Sequence, residues 1–160
     1  MSNPFRTLRL LCVPAAIVSL PALAGMALNP DVHQATIAQT ICIPGYTKSV
    51  RPAVSYTNGV KLKLLRQAGL DPSHAPEYEL DHIVPLALGG HPRQLDNLQL
   101  QPWDGENGAK RKDRLEAKLQ CLVCSGEVPL ETAQQAIYDD WPAAYHRYAR
   151  TKCHRSVFKR

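Results

Sequence analysis

Between Tyr78 and Trp141 the apolar positions change period twice, and those changes predict most of the fold. Tyr78-Glu79-Leu80-Asp81-His82-Ile83-Val84 reads as a strand, stopped by Pro85 and a Gly89-Gly90 turn. Asn97-Leu98-Gln99-Leu100-Gln101 alternates with period two, as a half-buried second strand does. From about Gly105 to Leu122 the period becomes helical, with Ala109, Leu115, Leu119 and Leu122 on one face and Ser125-Gly126 after them. A last helix starts near Pro129 or Leu130 and runs through Ala133, Ala136, Ile137 and Trp141, with Pro142 kinking it. Upstream, Thr57-Asn58-Gly59 opens a helix carrying Val60, Leu62, Leu64, Leu65 and Ala68, and Gly69 stops it. Residues 28–56 show little periodicity and read as an irregular arm anchored by Cys42. The order helix, strand, strand, helix, helix predicts an α+β fold built on a ββα unit.

The opening segment belongs to a different class. Arg6 and Arg9 precede a short apolar stretch from Leu8 to Leu23, and Ala22-Leu23-Ala24 offers a small-residue cleavage site. Pro14 and Pro21 interrupt the stretch, which is too short for a bilayer-spanning helix. A cleaved secretory signal over residues 1–27 is expected, with a periplasmic or secreted product and no stable membrane association afterwards. Export removes Cys12 and leaves Cys42, Cys121, Cys124 and Cys153, an even number suited to disulfides. The expected pairs are Cys121–Cys124 and Cys42–Cys153. Cys121-x-x-Cys124 has no second pair to complete a zinc site.

The chain carries a formal net charge of +5, and the excess is clustered. Lys110, Arg111, Lys112, Arg114 and Lys118 crowd one segment, and Arg147 to Arg160 form a basic tail. Such clusters attract polyanions, nucleic acid above all. Within the same window lie Asp81-His82, Asn97, and Asn107 with Lys110. Hydrolysis of a phosphodiester needs a base for the attacking nucleophile and positive charge at the phosphate. His82 suits the base, because an unperturbed imidazole is largely neutral near pH 7. Asp81 and Asn107 offer hard oxygen ligands to a divalent cation, and the amide of Asn97 can orient the imidazole. Neighbours on a regular strand face opposite ways, so Asp81 and His82 serve one phosphate only at a bend or a strand end.

The run Leu80-Asp81-His82-Ile83-Val84-Pro85-Leu86-Ala87-Leu88-Gly89-Gly90, then Asn97-Leu98-Gln99-Leu100-Gln101, then Asn107-Gly108-Ala109-Lys110-Arg111-Lys112-Asp113, resembles the HNH endonucleases. The resemblance implies a small ββα-metal core with an N-terminal arm and flanking helices. It makes His82 the general base and Asn97 the residue that positions it. It makes Asp81 and Asn107 the metal ligands, with Glu106 a rival because the count from Asn97 is one longer than usual. The ion is expected to be Mg²⁺, with Mn²⁺, Ni²⁺ or Zn²⁺ as alternatives. Lys110, Arg111, Lys112 and Arg114 are expected to face phosphate. The chain then divides into the signal, an arm and helix over 28–77, the nuclease core over 78–122, and a helical extension with a basic tail over 123–160.

The function expected is a metal-dependent, exported endonuclease of low sequence specificity, acting on DNA ahead of RNA. The competing readings are an inactive HNH-fold nucleic-acid-binding protein of the envelope and a disulfide-stapled structural protein. The first lacks any need for the intact Asp81, His82 and Asn107 set, and the second leaves that set unexplained. The sequence neither names nor excludes an inhibitor protein as partner.

Overall fold

The computed structural model describes residues 25–154. Residues 1–24 and 155–160 lie outside this range, and with them most of the expected secretory signal and the end of the basic tail. The described chain is a mixed α+β domain with one two-stranded antiparallel sheet. Helices α1 (Tyr46–Val50) and α2 (Val54–Gln67) precede strands β1 (Tyr78–His82) and β2 (Leu98–Pro102). Helices α3 (Ala109–Cys124) and α4 (Leu130–Tyr148) follow. In the sheet Asp81 lies opposite Gln99, and His82 opposite Leu98.

Both strands fall where alternation placed them, but β1 ends at His82, two residues early. Helix α2 starts three residues before Thr57, because Pro52 ends α1 and the chain re-enters a helix straight after Ala53. Helix α3 starts at Ala109, four residues later than the periodicity suggested. The delay comes from a tight turn over Trp103–Gly108, closed by the Gly108 amide on the Gly105 carbonyl at 3.2 Å. The kink in α4 sits where Pro142 required it. Asp140 leaves helical geometry (φ −158°, ψ 84°), and its carboxylate accepts the Ala143 amide at 3.0 Å to restart the helix.

The main core is not between the sheet and α3. It joins α3 (Leu115, Leu119, Leu122, Val123) to α4 (Leu130, Ala133, Ile137), to the arm (Val32, Ile41, Cys42) and to the turn after β1 (Val84, Leu88). Helix α2 covers the strands instead, with Val60 and Leu65 buried. The arm is stitched in by backbone bonds, Asn29 to Gly89 at 2.8 Å and His91 to Ala27 at 2.9 Å. Gln120 reaches the Ile41 carbonyl at 2.7 Å.

The disulfide pairing expected from sequence is overturned. Cys42 bonds Cys124, and Cys121 bonds Cys153, with Cα–Cα separations of 5.5 and 6.2 Å. Cys121 and Cys124 are three apart on α3, so their side chains diverge by about 60° around the axis. One turns to the arm and the other to the tail. The bonds span 82 and 32 residues and on chain-entropy grounds stabilise the domain by roughly 4 kcal/mol each. Such cross-links fit an oxidising compartment. Among the described residues no helix is long and apolar enough to cross a membrane.

The turn after β1 depends on Gly90, where a Cβ would collide with the Val84 carbonyl and sit 2.8 Å from the Asn97 amide nitrogen. Gly90→Ala should therefore destabilise the domain by about 1–3 kcal/mol, the usual range for overpacking. Denaturant unfolding measures this, and a midpoint equal to the wild type would show that the turn is not close-packed.

Candidate functional site

Strand β1 stops where Asp81 and His82 meet α3, and both residues are buried. Both residues border one cavity of about 210 Å³ at the strand end. Asp81 Oδ1 accepts the His82 amide at 2.7 Å. Its Oδ2 lies 2.9 Å from Nζ of Lys112. Lys112 is only 1% exposed and also donates to the His82 carbonyl at 2.7 Å and to Glu116 at 2.6 Å. Two of the ammonium protons go to the His82 carbonyl and Glu116, and Asp81 Oδ2 meets the ammonium as an ion pair without a well-aimed hydrogen bond. Burial alone would lower the Lys112 pKa, but Glu116 and Asp81 beside it reverse the effect and raise it. The ammonium therefore stays charged.

His82 Nε2 lies 3.2 Å from the Pro92 carbonyl. A carbonyl only accepts, so this nitrogen carries the proton in the neutral ring and Nδ1 keeps its lone pair. Burial pushes the His82 pKa below its ordinary 6.5, outweighing the opposing pull of the Pro92 bond and of Asp81.

Asn97 does not touch the imidazole, contrary to expectation. It sits in a 3-10 turn just before β2 and is 1% exposed. Its Oδ1 accepts the Val84 amide at 2.8 Å, and its Nδ2 donates to the Val84 and His91 carbonyls, both at 3.0 Å. Those bonds hold the loop that carries Pro92. Asn97 thus acts on His82 at one remove, through the backbone. Tyr56 of α2 steadies the same loop by donating to the Arg93 carbonyl at 2.7 Å.

Asn107 and Lys110 are corrected too. Asn107 lies exposed in the turn before α3, outside the helix that carries Lys110. Asn107 and Glu106 both lie outside the cavity lining. Lys110 pairs with exposed Asp104 at 2.8 Å. Lys112 is buried and turned toward Asp81, Glu116 and the His82 carbonyl. Arg111 and Arg114 remain, on the side of α3 turned toward α4. Their guanidiniums lie 4.4 and 5.9 Å from the Tyr145 ring, and Arg111 also meets His146 at 3.2 Å.

The residues that sequence reasoning missed are carboxylates. Glu79, Asp113 and Glu116 line the cavity with Asp81. The signal was present: Glu79 and Asp81 share a strand face at period two, and Asp113 and Glu116 are three apart on a helix. Burial raises Glu79 to about 7, helped by the charges of Asp113, Asp81 and Glu116. Burial likewise raises Glu116, since one ammonium is shared by two carboxylates.

The ligand pair expected for a divalent ion does not fit. Asp81 already holds Lys112, Asn107 is elsewhere, and among the described residues no group of three or more histidine, cysteine, aspartate or glutamate side chains is arranged to hold a metal. Comparison of the chain with protein-family models, with curated proteins and with solved structures found no match.

Unfolded Glu79 titrates near its ordinary 4.5, and folded Glu79 near 7, so folding is increasingly penalised as pH rises between these values. Glu79→Gln should raise the melting temperature at pH 8 and leave it unchanged at pH 4. Equal shifts at both pH values would mean that the Glu79 carboxyl is not held protonated by its surroundings.

Proposed function

We propose that this chain is a nuclease of the HNH kind, hydrolysing nucleic-acid phosphodiesters with His82 as general base. The observation that carries this is the state of His82: a residue bordering a cavity, its neutral ring held by Nε2 on the Pro92 carbonyl so that Nδ1 keeps the lone pair. The order Asp81-His82, Gly89-Gly90, Asn97 and basic helix supports it from the sequence, as does the β1–β2–α3 order. In the hydrolytic step Nδ1 takes a proton from water, whose oxygen attacks phosphorus, and the bond to the leaving sugar oxygen breaks. Asn97 and the Pro92 loop keep the ring in register. Lys112 neutralises Asp81, so a second charge does not build up beside the imidazole.

A divalent ion, Mg²⁺ first, is what the HNH resemblance adds. Its expected donors stand apart, so no step is assigned to it, and assays with Mg²⁺ and with chelator read whether one is recruited. DNA is the first substrate, RNA the second, and the product acts outside the cytoplasm. A binder without catalysis is the second reading, favoured by the arginines around Tyr145, which face away from the cavity.

Oxidised protein starting near residue 28 should nick plasmid DNA, and His82→Ala should lower the rate about 10²–10⁴-fold while leaving binding nearly intact. The acid limb of kcat/KM should lie below pH 6.5, because the His82 pKa is lowered from that value. Cleavage that survives His82→Ala would end the assignment, and binding without cleavage by the wild type would favour the second reading.

A further inference from the structure

An anion approaching His82 meets a hostile lining. Glu79, Asp81, Asp113 and Glu116 border the cavity, and the charge of Lys112 is spent on buried acceptors. Among the described residues one solvent-exposed cation borders it, Arg51. Arg51 also borders an adjoining depression of about 240 Å³, together with Glu79 and Leu80. That depression adds Lys61, Asn58 and Trp103. The two hollows share Arg51, Glu79 and Leu80 in their walls, the first acidic around His82 and the second adding Lys61.

The mounting of Arg51 is firm. It ends α1 four residues after Thr47, which lines the same cavity. Its backbone is extended (φ −64°, ψ 130°), as the following Pro52 demands, and Pro52 is itself buried. The arm that carries it is tied to α3 by the Cys42–Cys124 bond. Lys61 comes from α2, which packs on the strands. Neither cation has an ion-pair partner within 4 Å among the described residues. Two unspent cations beside an indole are the parts that grip a nucleic-acid backbone and its bases.

We propose that Arg51 and Lys61 bind consecutive phosphates of one nucleic-acid strand, leading it past Trp103 to the cavity of His82. The arm and α2 therefore form the substrate track, and the basic face of α3 does not. The assignment rests on the nuclease reading and adds to it a binding site outside the ββα segment. The guanidinium at the shared rim supplies positive charge where the strand turns in toward the carboxylates.

The test measures binding of a short labelled single-stranded oligonucleotide across a salt series, in the non-cleaving His82→Ala background. Arg51→Ala and Lys61→Ala should each flatten the slope of log K against log salt by about 0.7, the value for one lost phosphate contact on a single strand. Arg51→Lys should retain the slope, and the pair Arg111→Ala with Arg114→Ala should change it less. Because Arg51 is exposed, Arg51→Gln serves as a second variant if alanine disturbs folding. An unchanged slope in Arg51→Ala and Lys61→Ala, with cleavage by the wild type intact, overturns the track and leaves the nuclease. A wild type that neither binds nor cleaves DNA or RNA overturns both.

Discussion

A lysine ammonium buried from water governs this structure. Burying a lone charge costs far more than a small domain can spare, so Lys112 is tolerable only because it is paired and hydrogen-bonded. Asp81, Glu116 and the His82 carbonyl surround it, and they belong to two elements. The end of β1 and the first turns of α3 are thereby fixed to one another by charge where the apolar core does not reach. The candidate base and the four cavity carboxylates border that junction. His82 follows Asp81, Glu116 follows Lys112 by one helical turn, and the cavity opens between them.

The apolar core does the complementary work at a distance. It packs α3 on α4 and draws the arm and the turn after β1 onto them, and the Cys42–Cys124 bond makes the arm's placement permanent. Gly90 lets the turn approach Val84, and Asn97 then spends its whole amide on that turn and on the loop beyond. The imidazole is oriented at the end of this chain of contacts. A residue that never touches His82 thus decides which of its nitrogens is free.

Local chemistry made much of this legible in advance. Strand-forming runs bounded by Pro and Gly located both strands to within two residues, Pro142 located the kink, and Asp81-His82 fall at a strand end beside a cavity. Features that depend on tertiary contact were hidden. A lysine among arginines reads as solvated, and nothing local separates Lys112 from Lys110, although one is buried and the other pairs with Asp104. Asn107 was assigned to a helix because the turn over Trp103–Gly108 leaves no mark on apolar periodicity. The arm's share of the core was invisible because its buried residues, Val32, Ile41 and Cys42, follow no period. The disulfide pairs depend on which elements flank α3, which spacing does not encode.

The central claim is that the Asp81–Lys112 contact is a buried, coupled charge pair joining strand to helix. A double-mutant cycle of Asp81→Asn and Lys112→Met, read by denaturant unfolding, tests it directly. Lys112→Met should cost about 3–5 kcal/mol because it strands Asp81 and Glu116, Asp81→Asn should cost less because Glu116 still meets the ammonium, and the double variant should cost less than their sum. Costs that add to within about 0.5 kcal/mol would mean that the two residues do not sense each other, and the junction described here would not exist.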